Sequence, residues 1–242
     1  MSGKRFARSF LTALAFMALI PFHPAFAQQT EIKRYELYSG FTYFSTPDFN
    51  LTERGYHFQA GFNARRWIAF GFDYSLVSGH NSLTPALLTD SLQQEIGAAL
   101  AAFELEGIIP TNYELSVPTG STTQTFAAGP QLVFRHFIPV TIFLRPDVGA
   151  IREVARPHPG DPLATFIIQG LAPSGQKISW TAFYGFGGGF DWNATRRLGF
   201  RFQADEVYNH LFNDLLKDGR WTTRVSVGPV FHFGKNIGLT SQ

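Results

Sequence analysis

The chain has 242 residues, a formal charge of +2, no cysteine, 26 phenylalanines and 23 glycines. The missing cysteines exclude a disulfide framework, thiol chemistry and any zinc site built on Cys. So small a charge, part of it in an N-terminal basic cluster, points to no nucleic-acid partner.

The first elements in chain order belong to export rather than to the fold. Lys4, Arg5 and Arg8 precede an apolar run from Phe10 to Ile20, broken by Pro21 and Pro24 and followed by Ala25-Phe26-Ala27. That order is the build of a cleavable signal peptide over residues 1–27, cut before Gln28. The run is too short to cross a bilayer, and no cysteine follows it to make a lipoprotein signal. The remaining residues, 28–242, amount to a single domain's worth for a barrel or sandwich. They hold no further apolar stretch of transmembrane-helix length, so a bilayer-spanning fold would have to be a closed strand barrel.

From Tyr35 onward the sequence alternates with period two. Tyr35–Ser45 is the first such segment. In "YHFQAGFNA" Tyr56, Phe58, Ala60 and Phe62 share one face, opposite His57, Gln59, Gly61 and Asn63. "WIAFGFDYSL" sets Ile68, Phe70, Phe72, Tyr74 and Leu76 against Ala69, Gly71, Asp73 and Ser75. Thr123–Arg135, Val140–Ile151, "SWTAFYGFGGGFDW", "LGFRFQAD" and Trp221–Phe233 complete eight strands of roughly 8 to 13 residues, near the ~9–11 that a tilted strand needs to cross a bilayer. The glycines of "GFGGG" lie in a strand with no helix after it, so they make no phosphate loop.

The connections divide by parity. Links after the second, fourth and sixth strands are short, at Arg65-Arg66, His136–Pro139 and Asn193–Arg197. Those after the third, fifth and seventh are long: residues 79–122, 152–177 and 207–219, with an intermediate first link at 46–53. Short turns on one rim and long loops on the other is the asymmetry of outer-membrane barrels. A soluble ligand-binding barrel, the competing fold, would carry Lys and Glu on its polar face. Here that face is mostly Gly, Ser, Thr, Asn and Gln. Trp67, Trp180, Trp192, Trp221, Tyr35, Tyr43 and Tyr56 stand at strand ends, as interfacial girdles would. Pro130, Pro146 and Pro229 fall inside strands, and bulges are expected at Gly129-Pro130 and Gly228-Pro229.

Within the 79–122 loop, a helix is expected over about 85–106. Thr84 would cap it, Pro85 would open it and Gly107 would stop it. Leu88, Leu92, Ile96, Ala99, Leu100 and Phe103 form its apolar stripe, with Asp90, Gln93, Gln94 and Glu104 opposite. Its polar face has no basic residue, so it does not suit an anionic lipid surface. Packing on the barrel mouth or on a partner is expected instead.

The inward parity collects Glu36, Asp73, Arg135, Arg145, Asp147, Asp191, Arg201, Asp205 and Arg224. An eight-stranded barrel is just wide enough to be filled by its own side chains, and buried charges there must pair. The expectation is a structural network of salt bridges. The alternative is a narrow ion path in which Arg145, Arg201 or Arg224 changes partner. Signals for catalysis are thin. His80-Asn81-Ser82 places a His near a hydroxyl on the long-loop rim, as a lipid-modifying enzyme would need, but without a third partner. Asp205-Glu206 is a pair of acids, of which Asp205 has lumen parity and reads as a partner for Arg201 or Arg224. The histidines show no metal-ligand spacing, and no catalytic residue, metal or cofactor is assigned.

With its signal, its eight alternating strands and the closing strand "RVSVGPVFHFG", the chain resembles the small outer-membrane β-barrels of Gram-negative bacteria, of the OmpA/OmpX/OmpW-like kind. The resemblance implies residence in outer-membrane lipid. It also implies handling by the barrel-assembly machinery, which reads an aromatic last strand such as Val225, Val227, Phe231 and Phe233. It implies surface, adhesion, integrity or small-pore roles, with the loops meeting any extracellular partner. Lys235–Gln242 departs from the pattern by continuing past the last aromatic.

Overall fold

A computed structural model describes residues 31–110, 112–217 and 219–238. The expected signal peptide and the last four residues of the tail lie outside these. Eight strands form one closed barrel: β1 (Lys33–Thr46), β2 (Leu51–Asn63), β3 (Ile68–Leu83), β4 (Val117–Phe134), β5 (Val140–Pro157), β6 (Lys177–Asn193), β7 (Leu198–Asn209) and β8 (Arg220–Asn236). Each strand pairs antiparallel with its sequence neighbours, and β8 closes on β1.

The barrel is turned inside out relative to a soluble one. Phe58, Phe70, Phe72, Leu132, Leu144, Val148, Phe186, Phe200 and Phe231 all project outward and are exposed. The alternate positions, among them Gln59, Asp73, Thr125, Gln203 and Ser226, are buried inside. Alternation of this sense suits a hydrocarbon surround and a polar interior. No helix among the described residues is long and apolar enough to cross a membrane. The exposed apolar belt is bounded by rings: Tyr35, Trp67 and Trp192 toward the short turns, and Tyr43, Tyr56, Trp180 and Trp221 toward the long loops. Arg152 lies over Trp180, 5.8 Å from its ring centre, at the upper edge of the belt.

The strands run to 12–18 residues, longer than their alternation reveals. β3, β4 and β5 stay paired well past the belt, to Leu83, Val117 and Pro157. The expected bulges are absent. Register is unchanged across Gly129-Pro130, although pairing with β5 lapses between Ala128↔Val148 and Leu132↔Leu144. That constant register sets Pro130 opposite Pro146, so two missing N–H donors fall on one stretch of one ladder and cost no shift. At Gly228-Pro229 the β7–β8 ladder is likewise continuous, and the β1–β8 ladder merely opens between Tyr38↔Val230 and Phe41↔Val227. The irregularity that does occur is between Lys33 and Tyr35 on β1. β8 also continues past Phe233 to Asn236, and Ile237 N–H donates to the Ile32 carbonyl.

Two helices stand on the long-loop rim, α1 (Asp90–Leu105) and α2 (Pro162–Leu171). α1 begins five residues later than expected. Pro85–Leu87 forms a separate 3-10 turn, Leu88 makes a strand-like bridge to Leu216, and Thr89 precedes the helix. Thr89 N–H donates to the Leu215 carbonyl, so a tertiary contact draws this backbone away from the helical path. The stop is where the sequence put it: Gly107 has φ +72°, Ile108 N–H donates to the Phe103 carbonyl and Gly107 N–H to that of Glu104. Those two bonds make the left-handed glycine cap that satisfies the last carbonyls. α2 was not expected. Asp161 caps it by accepting from Ala164 N–H, and Pro162 takes the first turn. The main apolar core sits at this mouth rather than in the lumen, and it joins Leu88, Ile96, Ile168, Leu211, Phe212 and Leu216.

Candidate functional site: the lumen and its long-loop mouth

All nine charged residues assigned to the lumen lie inside the barrel; eight are buried and Arg135 is half-buried. The strand ladder fixes two of their pairings outright. Asp191 stands opposite Arg201 in the β6–β7 register, and Asp205 opposite Arg224 in β7–β8. Directly opposed side chains on one face are within reach of each other.

The tier nearer the short turns centres on Arg201. Its Nε and Nη2 donate to the two Asp191 oxygens at 2.6 and 2.8 Å, Nη2 also to Glu36 Oε1 at 2.8 Å, and Nη1 to Gln59 Oε1 at 2.6 Å. The guanidinium lies 4.7 Å from the Phe143 ring centre. Four hydrogen bonds and a stacked ring satisfy nearly every donor of this side chain. Arg135, at the end of the lumen, instead donates to the Arg66 carbonyl and, at 2.6 Å, to Asn63 Oδ1. Its geometry is that of a backbone clamp more than of a salt bridge.

A second tier lies toward the loops. Arg145 crosses from β5 to Asp73 on β3 and also donates to both Asp205 oxygens at 3.2 Å. Asp147 Oδ1 is 3.3 Å from Arg145 Nε, and Asp147 Oδ2 accepts from Arg224 Nη2 at 3.3 Å. Arg224 Nε donates to Asp205 Oδ2 at 2.8 Å. Asp205 thus pairs with Arg224 and Arg145, and not with Arg201. His57, which no spacing singled out, joins this tier: Nε2 is hydrogen-bonded to Asp73 Oδ1 at 2.9 Å and Nδ1 to Ser226 Oγ at 3.0 Å. Space for these crossings comes from glycines on the walls. A Cβ on Gly61 would collide with the Glu36 side chain, and one on Gly187 with the Asp205 carboxylate.

A third group, Glu53, Glu153 and Arg220, lies above the belt and was missed. Each has the parity of an inward residue on its own strand: Glu53 that of His57, Glu153 that of Asp147, Arg220 that of Arg224. Only the underestimated strand lengths hid them. Glu53 Oε1 accepts from Ser121 Oγ at 2.7 Å and Thr123 Oγ1 at 3.0 Å, and Arg220 Nη2 donates to Glu153 Oε2 at 2.9 Å.

The catalytic candidates are not assembled. His80 and Ser82 occupy outward positions of β3 beyond the belt and are exposed, in a cleft with Asp48 and Asn50 of the first turn. Asp205 and Glu206 point to opposite sides of β7, and Glu206 accepts from Thr223 Oγ1 at 2.6 Å.

An apolar outer belt, two aromatic rings, a polar interior crossed by ion pairs and connections sorted by rim define a small transmembrane β-barrel of the outer-membrane type. Solved structures similar to it include Neisserial surface protein A, with 11% identity, a TM-score of 0.48, and coverage of 82% of this chain and 96% of that one. Outer membrane protein OprG from Pseudomonas aeruginosa has 8% identity, a TM-score of 0.45 and coverage of 86% and 99%. Ail, the attachment invasion locus protein of Yersinia pestis, has 11% identity, a TM-score of 0.41 and coverage of 85% and 100%. No protein-family model matches the sequence, and no curated protein matches it.

Proposed function

We propose that this protein resides in the outer membrane of a Gram-negative cell, exported by the 1–27 signal and inserted by the barrel-assembly machinery. There it is a structural and surface-interaction barrel whose lumen is closed by its own side chains. The observation that carries this reading is the pairing of Arg145, Arg201 and Arg224 with Asp73, Asp147, Asp191, Asp205 and Glu36, all buried in the barrel. An ion entering would have to break charge-assisted bonds made in a poorly hydrated interior, where leaving one partner uncompensated costs several kcal/mol. The outer-rim loops, bearing α1 and α2, are the surface left for an extracellular partner.

The competing reading is a narrow pore for ions or small solutes. Purified protein in planar bilayers separates the two. The closed barrel gives no steady conductance above the bare bilayer, and a reproducible single-channel step at neutral pH would overturn it in favour of the pore.

A further inference from the structure

The charges outside the lumen are unevenly placed. Residues 84–116, which carry α1, hold Asp90, Glu95, Glu104, Glu106 and Glu114 and no Lys or Arg. The short-turn rim is the reverse. Lys33 and Arg34 open β1, Arg65-Arg66 and Arg196-Arg197 lie in two of the turns, and Lys235 stands near the end of β8. Among the described residues of this rim, Glu31 is the one carboxylate outside the lumen, and Arg196 and Lys33 already meet it, at 2.9 and 3.9 Å. Those bases form one continuous arc. Arg196 reaches the start of β1 through Glu31, and His232 of β8 donates its N–H to the Arg197 carbonyl. From there β8 pairs with β1, and β1 with β2.

The irregular register of the β1–β8 ladder lies at the centre of the arc. Between Lys33↔Asn236 and Tyr35↔Phe233, β8 has two residues, Gly234 and Lys235, against Arg34 alone. Gly234 takes φ +87°, the left-handed conformation of a bulge glycine. A bulge re-aims side chains around it. Arg34 has the parity of lumen-facing Glu36, yet its guanidinium lies 5.5 Å from the ring centre of Phe62, on the outward face. Its Nε is buried and has no hydrogen-bond partner among the described residues. Tyr35 packs against both Phe62 and Phe233, at 5.8 and 5.5 Å, so an apolar outward surface adjoins the bases.

A soluble polyanion would use the bases and leave those rings bare. An amphiphile with an anionic head uses both, since its phosphate accepts from the cations while its chain lies on the rings. We propose that the arc holds an anionic phospholipid of the leaflet at the short turns, its phosphodiester between Arg34 and Lys235 and an acyl chain over Phe62 and Phe233. The proposal rests on the transmembrane reading. A zwitterionic headgroup, which carries its own ammonium, gains less from the same bases.

Trp67 and Trp192 stand toward the short turns and Trp180 and Trp221 toward the long loops, so fluorescence quenching by brominated lipid reads each rim separately. The full barrel is placed in vesicles of phosphatidylcholine and phosphatidylglycerol, with one or the other brominated. Trp180→Phe with Trp221→Phe leaves the short-turn signal, and Trp67→Phe with Trp192→Phe leaves the long-loop one. At the short-turn rim phosphatidylglycerol is expected to be favoured at least about fivefold, the effect of one base near an anionic surface. High salt should shrink that preference, and the long-loop rim should show none. Arg34→Gln with Lys235→Gln should bring it below about twofold, and Arg65→Gln with Arg197→Gln, farther along the arc, should lower it less. Heat-shifted gel mobility confirms that each variant is folded. Equal quenching by the two lipids at the short-turn rim, or a preference unmoved by Arg34→Gln with Lys235→Gln, overturns the proposal. Absence of quenching by either lipid would sink the transmembrane reading and the proposal with it.

Discussion

Arg201 shows what a single side chain contributes when it is buried with two acids. It pairs with Glu36 and Asp191 together, and both are nearly inaccessible to water. Removing one member of such a group costs more than the pair adds, because the remaining charges cannot reach solvent. Arg201→Ala is therefore expected to destabilise the barrel by about 3–5 kcal/mol, read from equilibrium urea unfolding in liposomes. A loss below about 1 kcal/mol, typical of an exposed pair, would mean that water reaches the lumen freely. Outside the membrane, Tyr113 ties the segment after α1 to the start of α2 by donating to Asp161 Oδ2 at 2.9 Å. Partial burial, then the bond to Asp161 and its negative charge, push the Tyr113 phenol up to about 12 from its ordinary value of 10.0. The sign follows from proton binding: above pH 10 the unfolded chain gives up this proton before the folded one does. The tether is thus complete below pH 10 and is lost as pH rises through about 12. Subtracting the tyrosinate absorbance titration of Tyr113→Phe from that of the parent should isolate one phenol ionising near pH 12; a difference curve centred near 10 would rule the tether out. Parity along the strands reads out the inward placement of residues such as Asp191 and Arg201. It cannot say that Glu36, 165 positions from Arg201, completes their cluster.

At the scale of elements, the cap on the mouth is the part whose stability is separate from that of the barrel. α1 presents Leu92, Ile96 and Leu100 to the core, as its stripe predicts, and leaves Leu105 exposed beyond it. Ile96 is the side chain of α1 that is fully buried. Ile96→Ala should cost the cap about 2 kcal/mol, near the low end for a buried isoleucine, and leave the strand ladders untouched. Limited proteolysis within residues 84–116 should then speed up by about thirtyfold, since cleavage follows the population of the open form. Heat-shifted mobility of the whole barrel should not change. If the barrel unfolds with the cap, the two are one cooperative unit. α2 escaped the sequence reading although its cap, Asp161-Pro162, is written plainly. It is only ten residues long and mostly apolar, so the stripe of Ala164, Ile167, Ile168 and Leu171 that meets the core is hard to tell from the exposed Phe166 in one short apolar run. The start of α1 escaped for another reason: the pairing of Leu88 with Leu216, 128 positions away, overrides a local helix signal.

The molecule as a whole is defined by which way its apolar face looks. Phe72, at the middle of the outward row of β3, is more than half exposed in the isolated chain. In a bilayer that exposure is burial in hydrocarbon. Phe72→Arg is expected to destabilise the liposome-embedded barrel by about 2–4 kcal/mol, the cost of a cation near the midplane. On a water-soluble barrel the same surface change would be worth about 0.5 kcal/mol or less. Unfolding in liposomes distinguishes the two, and a neutral outcome would sink the transmembrane reading.

The sequence by itself determined the strand count, the closed antiparallel order, the sorting of loops between rims and the parity of every lumen charge it named. These follow from short-range rules, a side-chain period of two and turn lengths, which need no knowledge of distant residues. Strand ends lay beyond it, because alternation fades above the belt, where Ser78, His80 and Ser82 face water rather than lipid. The partners that the lumen charges take across the barrel and the seat of α1 were decided by tertiary structure alone. Each depends on the height at which one strand meets another around a closed circle. Closure of β8 on β1 fixes that height, and no local pattern records it.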